Sequence, residues 1–252
     1  MNLNVIRELT RETPSRIVLC VLDGLGGLAR PETGRTELQE ADTPNLDILA
    51  RTSALGLTYP VGPGITPGSG PGHLALFGFD PEQYDIGRGV LEATGIGFEL
   101  DPDDVAARGN FCTVDADGTI TDRRAGRIPT RQSAPLVERL QEITLNGAEA
   151  IVRPVKDHRF VLVLRGDGLS DSVRDTDPQA EGIKALTAEP YDSSDPAAAR
   201  TAQLVNAWVD QARERLKDEP AANMLTLRGF AAYPNLPQLQ DVYKLRAAAF
   251  AV

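Results

Sequence analysis

The first hundred residues carry apolar runs separated by polar or glycine-rich turns. Residues 17–22 have no polar interruption, which is typical of a strand buried on both faces of a parallel sheet. Residues 55–59 predict a second strand. Between them, residues 44–50 place apolar side chains at helical spacing, with Thr43 as the expected N-cap and Pro44 as the expected first helical residue. We therefore predict a parallel sheet with a helix packed on it.

The pattern changes after the polar residues 101–104. Residues 108–114 and 119–122 flank Asp117-Gly118, a dipeptide that favours a hairpin turn. Further apolar segments predict strands at 148–152, 160–164 and 225–227 and helices at 133–144 and 196–217. The last apolar run, 246–252, predicts the start of one more strand. The middle of the chain is therefore predicted to be a separate α+β domain.

The composition of the chain argues against two classes of binding partner, nucleic acids and membranes. The 252 residues carry a formal net charge of -10, and no basic arm or helix is present, which argues against nucleic-acid binding. Cys20 and Cys112 lie in apolar strand-like runs, so we expect buried, reduced thiols. The N-terminus is polar, and no segment has the apolar length that a bilayer requires. We expect a cytoplasmic protein that binds neither nucleic acid nor membrane; its oligomeric state is left open.

A loop of glycine and proline at residues 62–73 surrounds one hydroxyl, that of Ser69. Such a run contributes little to a core, and the apolar residues 74–77 after it predict a short helix. Ser69 would then lie just ahead of a helix N-terminus, where backbone N–H groups favour an anion. The loop lacks the Gly-Lys-Ser/Thr ending of a P-loop and the Gly-x-Ser-x-Gly of a hydrolase elbow. We therefore predict a phosphoryl-binding site of another kind.

Three polar groupings are candidates for chemistry. Asp23 follows the first predicted strand, where it is either an active-site carboxylate or the cap of a turn. An arginine-rich segment, 122–127, is reinforced by Arg131, Arg153, His158, Arg159 and Arg165, and it either binds a ligand with several anionic groups or forms solvated ion pairs. His73 is expected to be a packing residue, whereas His158 beside Arg159 is a candidate to hold a carboxylate or phosphate.

Five motifs taken together resemble the archaeal-type cofactor-independent (2,3-bisphosphoglycerate-independent) phosphoglycerate mutases of the alkaline phosphatase superfamily. The resemblance extends from about residue 16 to residue 252. The motifs are VLDGLG at 21–26, TPNLD at 43–47, TPGSGPGHL at 66–74, DRRAGRI at 122–128 and HRFVLVLR at 158–165.

The resemblance implies an α/β fold in three parts. Residues 1–100 would form the N-terminal part of an incomplete, alkaline-phosphatase-like parallel-sheet core, residues 101–243 an inserted α+β substrate-binding domain, and residues 244–252 the return to the core. It implies interconversion of 3-phosphoglycerate and 2-phosphoglycerate in glycolysis and gluconeogenesis. Ser69 would be the nucleophile that carries the phosphoryl group.

The resemblance also implies cofactors and ligand contacts. Asp23 and Ser69 would help to hold two divalent ions, manganese or zinc, with magnesium or cobalt as alternatives, and no 2,3-bisphosphoglycerate would be needed. The glycerate would be held by Asp122, Arg123, Arg127, His158 and Arg159. Paired metal ions can activate a serine and stabilise both oxygens of an in-line transfer.

One departure from the family leaves alternatives open. Family members continue past the point that matches Val252, and one Asp with one Ser is too few for a zinc or manganese site. We therefore expect the chain to be a piece of a longer protein. The alternatives are a metal-dependent phosphatase or sulfatase of the same superfamily, and an inactive anion-binding module.

Overall fold

The computed structural model describes residues 2–22, 24–84 and 86–250, with the backbone alone for Ser69. The described chain divides into two compact units, one of residues 60–236 and one of residues 2–59 with the residues from 237 onward. The domain boundaries predicted after residues 100 and 243 stay predictions.

The larger unit is built on an antiparallel sheet. Its strands are β1 (Val105–Val114), β2 (Ile120–Asp122), β3 (Glu149–Pro154), β4 (Arg159–Arg165) and β5 (Met224–Ala232). The long strand β1 pairs with β2, β4 and β5, and β4 pairs with β3. The protein is thus a mixed α/β protein. The described residues contain no parallel strand pair, so the parallel sheet predicted from the apolar runs is wrong for this part of the chain.

Helices cover both faces of this sheet. The helices of the described chain are α1 (Leu3–Leu9), α2 (Glu37–Glu40), α3 (Pro44–Thr52), α4 (Ser69–Leu76), α5 (Arg88–Gly95), α6 (Thr130–Gln141), α7 (Pro196–Leu216) and α8 (Leu239–Tyr243), with a 3₁₀ turn at Ala125–Arg127. The face with α6 and α7 buries Phe111, Phe160 and Trp208 in the main core. The other face packs α5, through Val90 and Ala93, against Ala106 and Val161.

Most predicted elements of the larger unit are confirmed. The hairpin at Asp117-Gly118 forms, with Thr113 opposite Asp122 and Gly118 at φ 81°. The helices and strands predicted between residues 130 and 232 exist, although their ends shift by a few residues. Strand β5 extends well beyond the predicted 225–227 because its pairing with β1 continues through a bulge, past Arg228 and Gly229.

The strands predicted at 17–22, 55–59 and 246–252 are wrong where the structure describes them. Residues 17–22, 55–59 and 246–250 have no regular secondary structure, and Val18 and Leu57 are 90% and 97% exposed. A strand is stable when neighbouring strands pair with its backbone groups, and these runs pair with no described strand. The predicted packing of the 44–50 helix is also wrong, since α3 forms but buries no residue.

The two cysteines have different environments. Cys112 is buried, as predicted, and burial raises the pKa of its thiol to about 12, so it stays protonated. Cys20 is exposed, because the strand that was predicted to bury it does not form. In the smaller unit, α1 contacts α8, where Val242 is fully buried.

Candidate anion-binding site

The site lies on the α5 face of the sheet. Along β1, Ala106, Arg108 and Asn110 alternate with residues that face the main core, because successive strand side chains point to opposite faces. Arg108 lies opposite Arg228 of β5, and Asn110 lies opposite Arg159 of β4. The register of three strands therefore brings three arginines to one patch of the sheet.

These side chains line a cavity of 470 Å³ together with residues from three loops. The lining residues are Arg108, Asn110, Arg123, Arg124, Arg127, Asp157, His158, Arg159, Gln179 and Arg228. Six guanidinium groups and one carboxylate make the cavity strongly cationic in a protein of net charge -10. A cavity of this size and charge suits a small molecule with more than one anionic group.

Two buried carboxylates hold four of the arginines. Asp177, whose side chain is 3% exposed, accepts hydrogen bonds from Arg123 Nη2 at 2.9 and 3.0 Å and lies 3.5 Å from Arg228 Nη1. Glu92 of α5 uses one oxygen, Oε1, for ion pairs with Arg108 and with Arg159, the latter at 3.2 Å. These pairs fix the directions of the guanidinium planes before any ligand arrives.

Other polar groups of the cavity have unused hydrogen-bonding capacity. Among the described residues, Arg124 and Arg127 have no ion-pair partner and no side-chain hydrogen bond. Within the same part of the chain, His158 Nδ1 and the Nε atoms of Arg108, Arg123 and Arg228 are buried without a partner. Because buried donors normally have partners, this cluster of unpaired groups indicates a ligand site.

Burial lowers the pKa of His158, and the nearby charges of Arg159 and Arg124 lower it further. The imidazole is therefore neutral near pH 7. Burial also lowers the pKa values of Arg108 and Arg228, although both guanidiniums remain charged near that pH. The site thus combines fixed positive charges with one neutral ring.

Backbone strain is concentrated around the cavity. Five described residues other than glycine have a positive φ, and three of them, Arg127, Asp157 and Gln179, line the cavity. A fourth, Ala125, lies in the 3₁₀ turn that carries Arg124 and Arg127. Residues in the left-handed region are held there by surrounding contacts, and such residues cluster at functional sites.

The predicted substrate-binding residues take two different positions. Arg123, Arg127, His158 and Arg159 line the cavity together. Asp122 does not: its carboxylate accepts hydrogen bonds from the backbone N–H groups of Arg124 at 2.7 Å and Gly126 at 2.6 Å. In this structure Asp122 holds the strained turn that presents the arginines, so its predicted direct contact with a ligand stays a prediction.

Three of the four arginines that the sequence analysis adds to this cluster lie outside the cavity. Arg165 donates to Asp104 at 2.8 and 2.6 Å, and Arg153 donates to Gln141 Oε1 at 2.8 Å. Arg131 is exposed on α6. For these three residues the interpretation as structural or solvated side chains holds.

Sequence reasoning included Arg124 in the arginine-rich segment 122–127 but missed several other cavity residues, namely Arg108, Asn110, Asp157, Gln179 and Arg228. A signal existed for two of them, because Arg108 and Asn110 are the polar members of an otherwise apolar alternation in β1. Arg228 similarly interrupts the apolar run of β5. Gln179 comes from a loop whose position depends on tertiary packing.

The predicted nucleophile lies at the beginning of a helix. Ser69 was expected just ahead of a helix at 74–77; instead α4 begins at Ser69 itself, because Pro71 is tolerated in a first turn. The N-cap residue, Gly68, has no side chain that could cap this end, so the first backbone N–H groups of α4 can bind an anion. The Ser69 side chain and Asp23 lie outside the described part of the structure.

No group of three or more His, Cys, Asp or Glu residues that could hold a metal ion is found in the described part of the chain. The metal site predicted at Asp23 and Ser69 falls outside that part. The same residues include no helix long and apolar enough to cross a membrane.

The fold and the cavity define an α/β protein with a site suited to a small anionic ligand. A model of the 2,3-bisphosphoglycerate-independent phosphoglycerate mutase family matches residues 50–222. The chain belongs to this family.

Relatives and solved structures agree with this assignment. The probable 2,3-bisphosphoglycerate-independent phosphoglycerate mutases of Thermus thermophilus and Thermotoga maritima are 50% and 49% identical over 98% of this chain, and the alignments cover 61% and 60% of those proteins. The chain therefore spans about three fifths of the length of these curated relatives.

Two solved structures are similar to the described fold. The cofactor-independent phosphoglycerate mutase from Thermoplasma acidophilum is 34% identical with a TM-score of 0.58, over 89% of this chain and 61% of that one. The PH0037 protein from Pyrococcus horikoshii is 28% identical with a TM-score of 0.65, over 86% and 51%.

Proposed function

We propose that this protein interconverts 3-phosphoglycerate and 2-phosphoglycerate through a phosphoserine at Ser69. The observation that carries the proposal is the arginine-lined cavity with its unpaired donors, in a chain of the phosphoglycerate mutase family. Phosphoglycerate has a carboxylate at one end and a phosphate as a second anion. Several fixed guanidiniums suit such a ligand because each planar group can donate two parallel hydrogen bonds to an anion.

The chain's own residues have separate tasks in this proposal. Arg124 and Arg127, which lack partners among the described residues, supply uncompensated positive charge to the ligand. Asn110 and Gln179 offer amide groups of the kind that bind a hydroxyl. Neutral His158 offers a polar nitrogen that does not add a charge. After Ser69 takes the phosphoryl group from one oxygen of the ligand, this grip keeps the glycerate in place until its other hydroxyl accepts the group.

The family resemblance adds the alkaline-phosphatase-like core and the two divalent ions, with Asp23 and Ser69 among their ligands. Such ions would supply electrostatic stabilisation of the transferred group. The described residues include no group of three or more His, Cys, Asp or Glu residues that could hold such an ion, and Asp23 and the Ser69 side chain lie outside them. A cytoplasmic location likewise stays a prediction.

The test is product analysis. The protein that contains these 252 residues is incubated with 3-phosphoglycerate and Mn²⁺, and ³¹P NMR follows 2-phosphoglycerate and inorganic phosphate. We expect 2-phosphoglycerate from the wild type and none from Ser69→Ala, while Ser53→Ala, at an exposed position after α3, retains turnover. Release of inorganic phosphate would favour the hydrolase alternative. No product from the wild type would contradict the proposed mutase activity.

A further inference from the structure

Glu92 has an unusual position for an acidic residue. It lies on α5, its side chain is 7% exposed, and its Oε1 forms ion pairs with both Arg108 and Arg159. Both arginines line the anion-binding cavity, but Glu92 does not. A buried carboxylate next to a cationic cavity lowers the positive potential that an anion meets, so it opposes simple anion binding. Its contribution must come from the geometry that it imposes on the arginines.

The helix that carries Glu92 lies directly on the sheet. A Cβ on Gly89 would collide with the backbone of Ala106 and Ala107, and a Cβ on Gly87 would come within 3.2 Å of Gly229 O. Glycine at these positions therefore lets α5 approach β1 and β5 closely. The carboxylate of Glu92 consequently has a fixed position relative to the strands that carry Arg108 and Arg159.

The same helix lies close to the beginning of α4. A Cβ built on Gly70, the residue after Ser69, would lie 3.4 Å from Leu91 Cδ1 and 3.5 Å from Ile86 O. Leu91 directly precedes Glu92 in α5. One short helix thus lies next to the segment that begins with the proposed nucleophile, and its Glu92 also holds two arginines of the cavity.

We propose that Glu92 is a positioning residue that orients Arg108 and Arg159 for a phosphoglycerate rather than for any anion. The inference rests on the proposed function for the identity of the ligand. Glu92 lowers the general affinity of the cavity for anions and in return fixes two guanidiniums relative to α5 and the start of α4. It therefore sets ligand selectivity.

Three variants distinguish the effect of the negative charge of Glu92 from the effect of its side-chain length and from the effect of removing a glutamate elsewhere. Glu92→Gln keeps the shape of the side chain but removes its negative charge. An amide oxygen then replaces the carboxylate oxygen that pairs with both Arg108 and Arg159. Glu92→Asp keeps the charge but is one methylene too short to reach both arginines. Glu99→Gln is the matched control, because Glu99 is an exposed glutamate seven residues further along the chain.

Two measurements test the variants. Calorimetry gives the dissociation constants for 3-phosphoglycerate and for inorganic phosphate. In Glu92→Gln we expect phosphate to bind about threefold more tightly, because a nearby negative charge is gone. We expect 3-phosphoglycerate to bind about tenfold more weakly, because two guanidiniums lose their orientation. Glu92→Asp should weaken 3-phosphoglycerate binding without tightening phosphate binding, and Glu99→Gln should change neither.

The second measurement needs no ligand. Side-chain NMR of Arg108 and Arg159 in the free protein should show restricted guanidinium rotation in the wild type and faster rotation in Glu92→Gln. Unchanged rotation, or equal weakening of both ligands, would overturn the positioning role. If the wild type does not prefer 3-phosphoglycerate to phosphate, the proposed function fails on that result, and the rotation measurement still decides the role of Glu92.

Discussion

Arg127 and Arg131 lie four residues apart, and only Arg127 lines the cavity. Arg127 has no partner among the described residues, so its removal leaves no buried acid unpaired. We predict that Arg127→Ala weakens phosphoglycerate binding by about tenfold, since hydrogen bonds to charged groups contribute about 1.5–3 kcal/mol. The thermal midpoint should stay close to that of the wild type. Calorimetry and thermal unfolding measure the two effects.

Arg131→Ala is the control, because this exposed arginine is outside the cavity. Equal affinities for the two variants would contradict a ligand-binding role for Arg127. Arg123 is less suitable for this test, because its Nη2 donates to both carboxylate oxygens of the buried Asp177, which ties affinity to folding. Loss of one partner of a buried ion pair typically costs about 3–5 kcal/mol.

His158 links anion binding to pH. Its pKa is lowered from the ordinary value of 6.5, first by burial and then by Arg159 and Arg124, while Asp157 opposes the shift. A bound dianion offsets the guanidinium charges and favours the imidazolium, so binding takes up a proton. We predict that sulfate, which stays dianionic, binds about threefold more tightly at about pH 5.5 than at about pH 7.

His158→Gln should remove this pH dependence, and His73→Gln, at the other histidine of the chain, should keep it. Calorimetry at several pH values measures both. A pH dependence that survives in His158→Gln would contradict the assignment. In the ligand-free protein, low pH has the opposite effect and lowers stability. His158 takes up a proton at a higher pH in the unfolded state than in the folded state, because its folded-state pKa is lowered from 6.5. Its contribution to the free energy of unfolding is therefore fully present above pH 6.5 and is lost as the pH falls towards the folded-state pKa.

At the scale of elements, the close approach of α5 to β1 depends on one glycine. A Cβ on Gly89 would collide with the backbone of Ala106 and Ala107. We predict that Gly89→Ala destabilises the protein by about 1–3 kcal/mol and also weakens ligand binding, because α5 carries Glu92. Chemical denaturation and calorimetry measure these effects.

Gly95→Ala is a control in the same helix. A Cβ there meets nothing within 4 Å, and alanine favours helix over glycine, so this variant should be neutral or stabilised by about 0.5–1 kcal/mol. Similar destabilisation by both substitutions would show that helix propensity, and not the approach to β1, decides the effect.

Elements with a local signal were predictable from the sequence. The Asp117-Gly118 hairpin and the long helix α7, with Trp208 and Leu216 on its buried face, depend on turn chemistry and helical spacing. The strand predicted at 17–22 had the same kind of apolar signal. That strand is absent because a strand also needs a neighbouring strand to pair with its backbone groups. The apolar pattern in the sequence does not show whether another segment supplies this pairing.

At the scale of the whole molecule, charge is distributed unevenly. The chain is acidic overall, with a net charge of -10, yet one cavity of the larger unit holds six arginines. A local positive site in an acidic protein attracts small anions at short range, whereas the polyanionic surface of a nucleic acid would meet mostly negative charge. The contrast agrees with a small anionic ligand.

The sequence by itself determined the α+β character of residues 105–232, the family resemblance, and four of the residues that line the cavity, Arg123, Arg127, His158 and Arg159. These features depend on local spacing and on motifs that are contiguous along the chain. Tertiary structure alone decided that Arg108 and Arg228 join them, because strand register places residues 120 positions apart side by side. It also decided that Glu92 and Asp177 orient the arginines. Such contacts depend on packing between segments that are distant in the sequence.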